Sequence, residues 1–493
     1  MLRERIPPCA GGGESGPESM SDMGSGTRET KPPILPRPYN QPMPDPNSDS
    51  FSRSGSGAAD LVISPRLVLP VAPRNVALEG MSVAIRGGAV IGLGDRHDVL
   101  ARNPSARHME LGHHVLLPGL VNAHGHLAMT LLRGLGESES LDDWLNNTIW
   151  PLEARWMDED FVRDGTRLAV AEMVATGTTT ASDMYYFPET AALACRDAGF
   201  RLQATFPLID IPNAYSADFD ECLTKGLALH DRFRNDALVT TCFGPHSAYT
   251  VNPERLRRVA VLADEIDADV HIHLHETEDE VASALRSQGG TWIRILDEVG
   301  LLTERLQAVH MTAVSDAEID LASERGVRVV HCPHSNMKLA SGICPVTKFL
   351  AAGATVGLGT DGAASNNGLD MFAEARLAAL LAKSANADPT VLPAADIIAM
   401  ATLGGARAIG MDDRVGSIEV GKRADLVAVD LDNPAMQPIN DPHAALVHSN
   451  AGAHVTHTFI DGQCVYENGA WKTLDIEEVL ARAGEWQTKL NGD

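Results

Sequence analysis

Eight short apolar runs alternate with longer amphipathic segments through the middle of the 493-residue chain. The runs have the length and composition of buried β-strands, and segments between them such as "PERLRRVAVLADEI" have the apolar spacing of helices that bury one face. The candidate strands open with "LVNAHGH" at residues 120–126 and continue at 178–184, 201–208, 238–246, 269–276, 306–311, 327–333 and 355–361. Because strand–helix repetition builds a parallel sheet, eight such units predict an α/β protein with a (β/α)8 TIM-type barrel.

Two further groups of strand-like runs lie outside this repeat, one on each side of it. "ADLVISPRLVLP" and "MSVAIRGGAVIGLG" precede the barrel, and "ADLVAVDLD" and "VTHTFIDGQCVYENG" follow it. We expect them to form a small β-sandwich domain built from both chain ends, residues 59–117 and 420–485, around a barrel of residues 118–419. Residues 1–58 are rich in Gly, Ser, Pro and Glu without periodicity, which predicts a disordered tail.

Charge and composition exclude several classes of partner. The formal net charge is −26, whereas nucleic-acid binding needs a basic surface, so we expect no nucleic-acid partner. No apolar run approaches the roughly 20 residues of a membrane-spanning helix, so we expect no membrane partner. The seven cysteines are scattered and form no C-x-x-C pair, which is typical of reduced thiols and predicts a cytoplasmic protein.

Polar side chains that could carry chemistry end nearly every candidate strand. They are His124 and His126, Asp183, His246, His273 with Glu276, His310, His331 and Asp361. The carboxyl ends of all strands of a (β/α)8 barrel meet at one face, where the active site lies. We therefore expect these side chains to converge.

Part of this set has the donor types of a metal site. His124 and His126 are two residues apart at one strand end, so both imidazoles project to the same side. The fifth strand carries three alternating histidines in "HIHLHE", of which not all can be ligands, and the eighth carries Asp361. Three imidazoles and a carboxylate suit zinc and also iron(II). Lys225, the sole lysine between residues 126 and 338, lies in a helical stretch, which favours one ion over a lysine-bridged pair.

Several motifs of the chain resemble a known family. "PGLVNAHGH", "IHLHET", "AVHM", "HSNMKLASGICPV" and "LGTDGAASNNGLDMF" are similar to those of the amidohydrolase superfamily and, more narrowly, of the 5'-methylthioadenosine/S-adenosylhomocysteine deaminases. The resemblance covers about residues 59–470. Triazine-ring aminohydrolases and chlorohydrolases share much of this motif set.

The resemblance implies a role for each residue that matches a family motif. The metal ligands, around one divalent ion per subunit, would be His124, His126, His273 and Asp361. Glu276 would shuttle protons, and His310 with Asp361 would hold the attacking water. Glu153 would bind the ribose hydroxyls and His246 would contact the nucleoside. Glu276 and Asp361 would also contact the substrate, and the family likeness implies a homo-oligomer.

The resemblance implies a metal-dependent hydrolytic deaminase of an adenosine-type nucleoside that releases the 6-amino group as ammonia. The ion activates water, and a carboxylate beside it can carry a proton to the ring nitrogen. One alternative is an aminohydrolase or chlorohydrolase of a triazine or another cyclic amidine such as a guanine analogue. A barrel that has lost its metal and its catalysis is a third interpretation, which the intact set of strand-end residues opposes.

The loop after the third candidate strand bears on the choice of nucleoside. S-adenosylhomocysteine carries a carboxylate, and family members that use it place arginine in this loop. Here the loop reads "FPLIDIPNAYSADFDE", and no arginine occurs between Arg201 and Arg232. Because an anion finds little to pair with there, the sequence favours methylthioadenosine or adenosine over S-adenosylhomocysteine.

Overall fold

The computed structural model describes residues 58–492, apart from the side chain of Asp142. The predicted disordered tail, residues 1–58, lies outside the described residues except for its last residue. The strands are, in chain order, β1 (Leu61–Val68), β2 (Leu78–Glu79), β3 (Met81–Arg86), β4 (Ala89–Asp95), β5 (Arg107–Pro118), β6 (Leu120–Gly125), β7 (Thr178–Met184), β8 (Arg201–Leu208), β9 (Val239–Pro245), β10 (Val270–Leu274), β11 (Leu306–His310), β12 (Arg328–His331), β13 (Thr355–Leu358), β14 (Leu426–Asp430), β15 (Val455–Ile460), β16 (Gln463–Glu467) and β17 (Ala470–Trp471).

The helices connect these strands and flank them. They are α1 (Arg96–Arg102), α2 (Leu141–Asp143), α3 (Trp150–Trp156), α4 (Glu159–Ala175), α5 (Pro188–Asp197), α6 (Phe219–Phe233), α7 (Pro253–Glu265), α8 (Glu278–Gln288), α9 (Trp292–Val299), α10 (Asp316–Glu324), α11 (Pro333–Lys338), α12 (Val346–Ala351), α13 (Ala363–Asn366), α14 (Met371–Asn386), α15 (Ala394–Ala399), α16 (Gly405–Ala408), α17 (Pro442–His448) and α18 (Ile476–Asn491). Turns of 3-10 helix occupy Leu127–Leu132 and Ala451–His454, and π-helical turns occupy Trp144–Ile149 and Met400–Gly404.

Strands β6 to β13 form an eight-stranded sheet in sequential order, and each is parallel to its neighbours. Helices lie between successive strands, so the predicted (β/α)8 barrel is confirmed, nearly closed between β13 and β6. Strand β7 reads "TTTASDM" and is buried throughout. Some of its polar side chains are satisfied in the barrel: the Ser182 hydroxyl donates to Gln203 and Asp183 accepts from the Leu127 N–H. The hydroxyls of Thr178 and Thr180 have no partner among the described residues.

Strands from both chain ends form a second sheet, as the sequence predicts. Its order is β17-β16-β15-β14-β5-β1-β3-β4, with β2 paired to β1. The two ends meet where β14 runs antiparallel to β5, with Leu426 opposite Pro118. A separate apolar cluster that includes Ile63, Leu116 and Phe459 is the core of this sheet. The exact domain limits remain a prediction.

A buried ion pair joins the start of barrel strand β8 to the second sheet. Arg201 donates from Nε and Nη2 to the two carboxylate oxygens of Asp425 at 2.7 and 3.1 Å. The Arg201 and Asp425 side chains are 2% and 1% exposed. Burying two charges is offset only by good geometry and full hydrogen bonding, and this pair has both.

The last helix, α18, packs on the barrel helix α4. Trp486 donates its indole N–H to Asp164 at 2.9 Å, and Arg482 pairs with the same carboxylate. The Trp486 ring also contacts Trp156 at the end of α3. Helix α18 therefore supports the segment that forms one wall of the site described below. Among the described residues, no helix has the length and hydropathy that crossing a membrane requires.

Candidate active site

A cavity of about 560 Å³ opens among the loops at the carboxyl ends of the barrel strands. Most of the predicted site residues line it: His126, Glu153, His246, His273, Glu276, His310 and Asp361. His124 is fully buried beside them, with its Nε2 3.3 Å from an oxygen of Asp361. The structure thus brings all eight residues together. His331, another strand-end histidine, is buried and does not line the cavity.

Four of these residues form a group that could hold a metal ion. The candidate ligand atoms of His124, His126, His273 and Asp361 all lie within 4.8 Å of one another. Oδ1 of Asp361 lies 3.2 Å from Nε2 of His126, and the Nε2 atoms of His124 and His273 are 3.2 Å apart. His124 lies on β6 and His126 immediately after it, while His273 lies on β10 and Asp361 in the turn after β13. Closure of the barrel therefore brings the four side chains together.

Hydrogen bonds from the outer ring nitrogens of His126 and His273 orient both imidazoles toward the centre of the metal-binding group. The Nδ1 atom of His273 donates to the carbonyl of His246 at 2.7 Å, and that of His126 donates to the carbonyl of Met184. A carbonyl only accepts, so both rings carry the proton on Nδ1 and point an Nε2 lone pair to the centre. Such outer hydrogen bonds are the usual support of metal-binding histidines. The donor set and its orientation therefore fit a divalent ion that prefers nitrogen and oxygen ligands.

The carboxylate of Asp361 is held by a serine of α11 and by its own turn. Ser335 donates its hydroxyl to Oδ2 at 2.6 Å, and the Gly362 N–H donates to Oδ1 at 2.8 Å. Asp361 has a φ of 62° and His310 a φ of 74°, in the left-handed region that residues other than glycine rarely adopt. Backbone strain of this kind clusters at functional sites, where the surrounding structure over-determines it. Here it turns both side chains into the cavity.

An acid–base pair lies next to the metal-binding group. Oε2 of Glu276 is 3.7 Å from Nε2 of His310, and Ser341 donates to Oε1 of Glu276 at 3.1 Å. Nδ1 of His310 donates to the amide oxygen of Asn336 at 2.8 Å, which turns Nε2 toward Glu276. Burial raises the pKa of Glu276, with His310 opposing the rise. The carboxyl can therefore hold a proton at higher pH than an exposed glutamate can.

Glu153 lies at another part of the cavity wall, on α3. The hydroxyl of Tyr185 donates to its Oε1 at 2.7 Å, and both residues are buried. Burial raises the pKa of Glu153 to about 7, although the hydrogen bond from Tyr185 opposes the rise. One carboxylate oxygen is engaged by Tyr185, and the other is available to a ligand.

His246 contributes a buried nitrogen that has no partner within residues 58–492. Its Nδ1 makes no hydrogen bond in this part of the chain, while the ring lines the cavity. Burial lowers the pKa of His246 to about 4, so the ring is neutral at physiological pH. Buried polar atoms almost always have partners, and the arrangement points to a hydrogen-bonding ligand.

The rest of the cavity wall is largely apolar. Its apolar side chains include Leu141, Trp144, Leu145, Ile149, Trp150, Met157, Ile209 and Ile211. Glu153, Glu276 and Asp361 are its carboxylates, and no lysine or arginine of the described residues lines it. The surface suits an uncharged ligand with an apolar end.

Several supporting residues did not follow from the sequence pattern. Tyr185 comes two residues after the strand-end Asp183, and Ser335 and Asn336 lie in the motif "HSNMK", so their position next to recognised residues was the available signal. Asp183 accepts from the Leu127 N–H at 2.7 Å and holds the chain after His126. The hydrogen-bond partners of Tyr185, Ser335 and Asn336 are distant in sequence, so a linear pattern does not reveal these pairs.

Comparison with known proteins identifies the family. The profile of the amidohydrolase family matches residues 115–465. The chain belongs to the amidohydrolase family. This confirms the resemblance seen in the motifs.

Relatives of this amidohydrolase are close over most of their length. A 5-methylthioadenosine/S-adenosylhomocysteine deaminase of Teredinibacter turnerae is 42% identical over 437 residues, which cover 87% of this chain and 98% of the relative. A 5'-deoxyadenosine deaminase of Methanothermobacter thermautotrophicus is 42% identical over 378 residues, or 77% of this chain and 88% of the relative. The crystal structure of an adenosine deaminase from Xanthomonas campestris with bound zinc superimposes with a TM-score of 0.87 at 43% identity, covering 88% of this chain and 99% of the other.

Proposed function

We propose that this amidohydrolase removes the 6-amino group of an adenosine-type nucleoside by hydrolysis. Water supplies the oxygen that replaces the amino group, ammonia leaves, and the adenine ring becomes a hypoxanthine ring. The observation that carries the proposal is the cavity that joins Glu276 and the metal-binding group to the hydrogen-bonded pair Glu153 and Tyr185. The relatives in the comparison are nucleoside deaminases, which supports it.

We propose one zinc ion per subunit, held by the four residues of the metal-binding group. They are His124, His126, His273 and Asp361. Zinc supplies Lewis-acid activation of water near neutral pH when it is bound. Iron(II) is the other ion that such a donor set takes, and the zinc in the structural neighbour favours the first choice.

Glu276 moves the protons in the proposed reaction. Its carboxylate takes a proton from the attacking water at Oε2 and delivers it to the ring nitrogen next to the reacting carbon, which makes that carbon electrophilic. The second proton of the water goes to the amino group, which leaves as ammonia. His310, whose Nε2 faces Glu276, accepts a hydrogen bond from the attacking water together with Asp361. Each of these groups is buried on the cavity wall, so a substrate that fills the cavity displaces the solvent that would compete for the proton.

Glu153 and His246 bind the nucleoside part of the substrate. The free carboxylate oxygen of Glu153 accepts from the ribose hydroxyls, and the unpartnered nitrogen of His246 supplies a further hydrogen bond. A bare heterocycle has no hydroxyls for Glu153, which disfavours a triazine or a guanine analogue as the substrate. The apolar wall takes a 5'-methylthio or 5'-deoxy group, whereas no lysine or arginine among the described lining residues can pair with the charged end of S-adenosylhomocysteine.

A deamination assay tests this proposal. Zinc-loaded protein is given methylthioadenosine, 5'-deoxyadenosine, adenosine and S-adenosylhomocysteine, and the change from adenine to hypoxanthine absorbance is followed. Ammonia release from guanine and from aminotriazines is measured in parallel. We expect the first three to be used well and S-adenosylhomocysteine poorly, and we expect Glu276→Gln to lose turnover while retaining zinc. Ammonia from a bare heterocycle with no turnover of any nucleoside contradicts the proposal.

We further propose a cytoplasmic homo-oligomer with neither nucleic acid nor membrane as a partner. The net charge of −26 opposes binding to phosphate backbones. Each of the six cysteines in residues 58–492 is unpaired, as expected in a reducing compartment. Sedimentation velocity of the purified protein measures the assembly, and a monomer at all concentrations contradicts it.

A further inference from the structure

A chain of buried hydrogen bonds leads from the metal-binding group toward the floor of the barrel. Nδ1 of His124 is 2.8 Å from Nε2 of His271, and Nδ1 of His271 is 2.6 Å from Oε1 of Gln307. Nε2 of Gln307 donates to Oδ2 of Asp269 at 3.1 Å. Arg328 donates to the same oxygen at 2.8 Å. His124, His271 and Gln307 are fully buried, so water does not interrupt the chain.

Neighbouring strands of the barrel place these residues in one row. His271 on β10 is the register partner of Gln307 on β11, and Gln307 is the register partner of Arg328 on β12. Asp269 comes immediately before β10 and is 16% exposed. The row therefore begins at an ion pair near solvent and ends at a candidate metal ligand.

The donors and acceptors of these residues allow the hydrogen bonds of the chain to run in one direction only. The carboxylate of Asp269 accepts only, so the amide of Gln307 must turn its N–H toward Asp269 and its oxygen toward His271. That oxygen also accepts only, so His271 carries its proton on Nδ1 and presents a lone pair at Nε2. His124 must then carry its proton on Nδ1, which leaves its Nε2 unprotonated and facing the metal-binding group.

The tautomer of His124 depends on this chain, whereas the tautomers of His126 and His273 are fixed by backbone carbonyls. Nδ1 of His126 and of His273 each face a backbone carbonyl, which fixes the tautomer directly. Nδ1 of His124 faces another imidazole, which could donate as well as accept. In the reversed arrangement Nε2 of His124 carries the proton, and Asp361, 3.3 Å away, can accept it. That arrangement closes the site to a metal.

We propose that Gln307, oriented by the pair of Asp269 and Arg328, is a positioning residue that fixes the tautomer of His124 through His271. The chain thereby keeps the Nε2 lone pair of His124 available to the metal. This inference rests on the proposed metal-dependent function. It adds three residues at the barrel floor that control metal affinity without touching metal or substrate.

The test compares zinc affinity in variants of Gln307, measured by competition with a chromophoric chelator. Gln307→Met keeps the volume and removes the acceptor, and we expect zinc affinity to fall about 10- to 100-fold, the usual effect of removing an outer hydrogen bond of a ligand. The matched control is Gln203→Met, because Gln203 is also buried in the barrel and donates to the Ile409 carbonyl. It approaches the chain only through Ser182, which donates to Gln203 and whose Oγ lies 3.5 Å from Nδ1 of His271, at the weak limit of hydrogen bonding. We expect the control to bind zinc as the unaltered protein does.

A swap of the two side chains tests the direction of the chain. Gln307→Glu combined with Asp269→Asn keeps the net charge and keeps an acceptor facing His271. The new carboxylate accepts from Nδ1 of His271 and from the amide N–H of the new asparagine, while Arg328 loses the acceptor that Oδ2 of Asp269 gave it. We expect this double variant to recover zinc affinity and the visible spectrum of the cobalt-substituted protein. If Gln307→Met does not fold, Asp269→Ala at its partly exposed position removes the group that orients the amide, and a smaller loss is expected.

Each result separates this inference from the proposed function. Unaltered protein that binds no zinc overturns the proposed function. Unaltered protein that binds zinc, with Gln307→Met binding it equally tightly, overturns the positioning role alone. Equal losses in Gln307→Met and Gln203→Met, or a swap that fails to recover affinity, also overturn it, since a merely structural role predicts both.

Discussion

Glu153 and Tyr185 share a buried hydrogen bond of 2.7 Å between the carboxylate and the phenol. The phenol donates, so the bond favours the ionised carboxylate, while burial favours the protonated form and is the larger effect. The balance leaves Glu153 with a pKa of about 7, in the range where cells hold their pH. Binding of the ribose hydroxyls by Glu153 should therefore depend on pH.

The first prediction concerns that dependence. Ionised Glu153 predominates above pH 7 and is lost as the pH falls through its pKa of about 7. In Tyr185→Phe the bond that favours the ionised form is gone, so the pKa rises and the acid limb of kcat/KM moves to higher pH. A hydrogen bond to a charged group is worth about 1.5–3 kcal/mol, which corresponds to a shift of about one to two pH units. A pH profile with methylthioadenosine measures it, and an unmoved limb contradicts the assignment.

The second prediction separates binding by Glu153 from catalysis. Glu153→Gln removes the charge that strengthens the hydrogen bonds to the ribose, and kcat/KM for adenosine should fall about 10- to 100-fold. With 2',3'-dideoxyadenosine, which lacks both hydroxyls, the variant and the unaltered protein should differ little. Equal losses with the two substrates would show that Glu153 does not act on the ribose.

The third prediction adds a cation to the cavity, whose lining within residues 58–492 includes no lysine or arginine. Ile211 lines the cavity and is 62% exposed, so a long side chain fits there without disturbing the core. Ile211→Arg should raise kcat/KM for S-adenosylhomocysteine about tenfold through pairing with its carboxylate. Ile211→Gln, similar in length but uncharged, should not. Methylthioadenosine turnover reports on any general damage, and efficient use of S-adenosylhomocysteine by the unaltered protein is the contrary result.

The barrel and the convergence of its strand-end residues were predictable because both follow from local pattern. Apolar runs separated by amphipathic segments specify parallel strands, and the strand ends meet whatever the details of packing. A shared domain of the two chain ends was an inference from their similar patterns, but the pairing of β14 with β5, with Leu426 opposite Pro118, was not visible in either segment.

Contacts between distant side chains were the part that sequence did not reveal. In the sequence, Gln307 is a polar residue next to apolar ones and has no recognisable partner. Only the register of β10 with β11 places it against His271. Asp164 and Trp486 meet although 322 residues separate them. No periodicity encodes such pairs, because they depend on how complete elements pack.

The fourth prediction concerns stability, at the ion pair of Arg201 and Asp425. Arg201→Met leaves a buried carboxylate without its partner, and such losses cost about 3–5 kcal/mol. The urea midpoint and the melting temperature should both fall, while the protein that remains folded keeps its kcat. Arg201→Met combined with Asp425→Leu removes the stranded charge and should recover part of the loss, but not all, because the Asp461 N–H and the Ala237 carbonyl each lose a partner.

The matched control for that prediction is the pair of Arg325 and Asp297. Arg325 donates from Nε and Nη2 to the two carboxylate oxygens at 2.7 and 3.2 Å, nearly the geometry of the buried pair, but its side chain is 51% exposed. Water solvates either partner when the other is removed, so Arg325→Met should move the urea midpoint little. The difference between the two variants then measures the effect of burial at constant geometry. Equal shifts would mean that the Arg201–Asp425 pair is not isolated from solvent, and that its link between barrel and sheet stabilises the protein no more than a surface pair does.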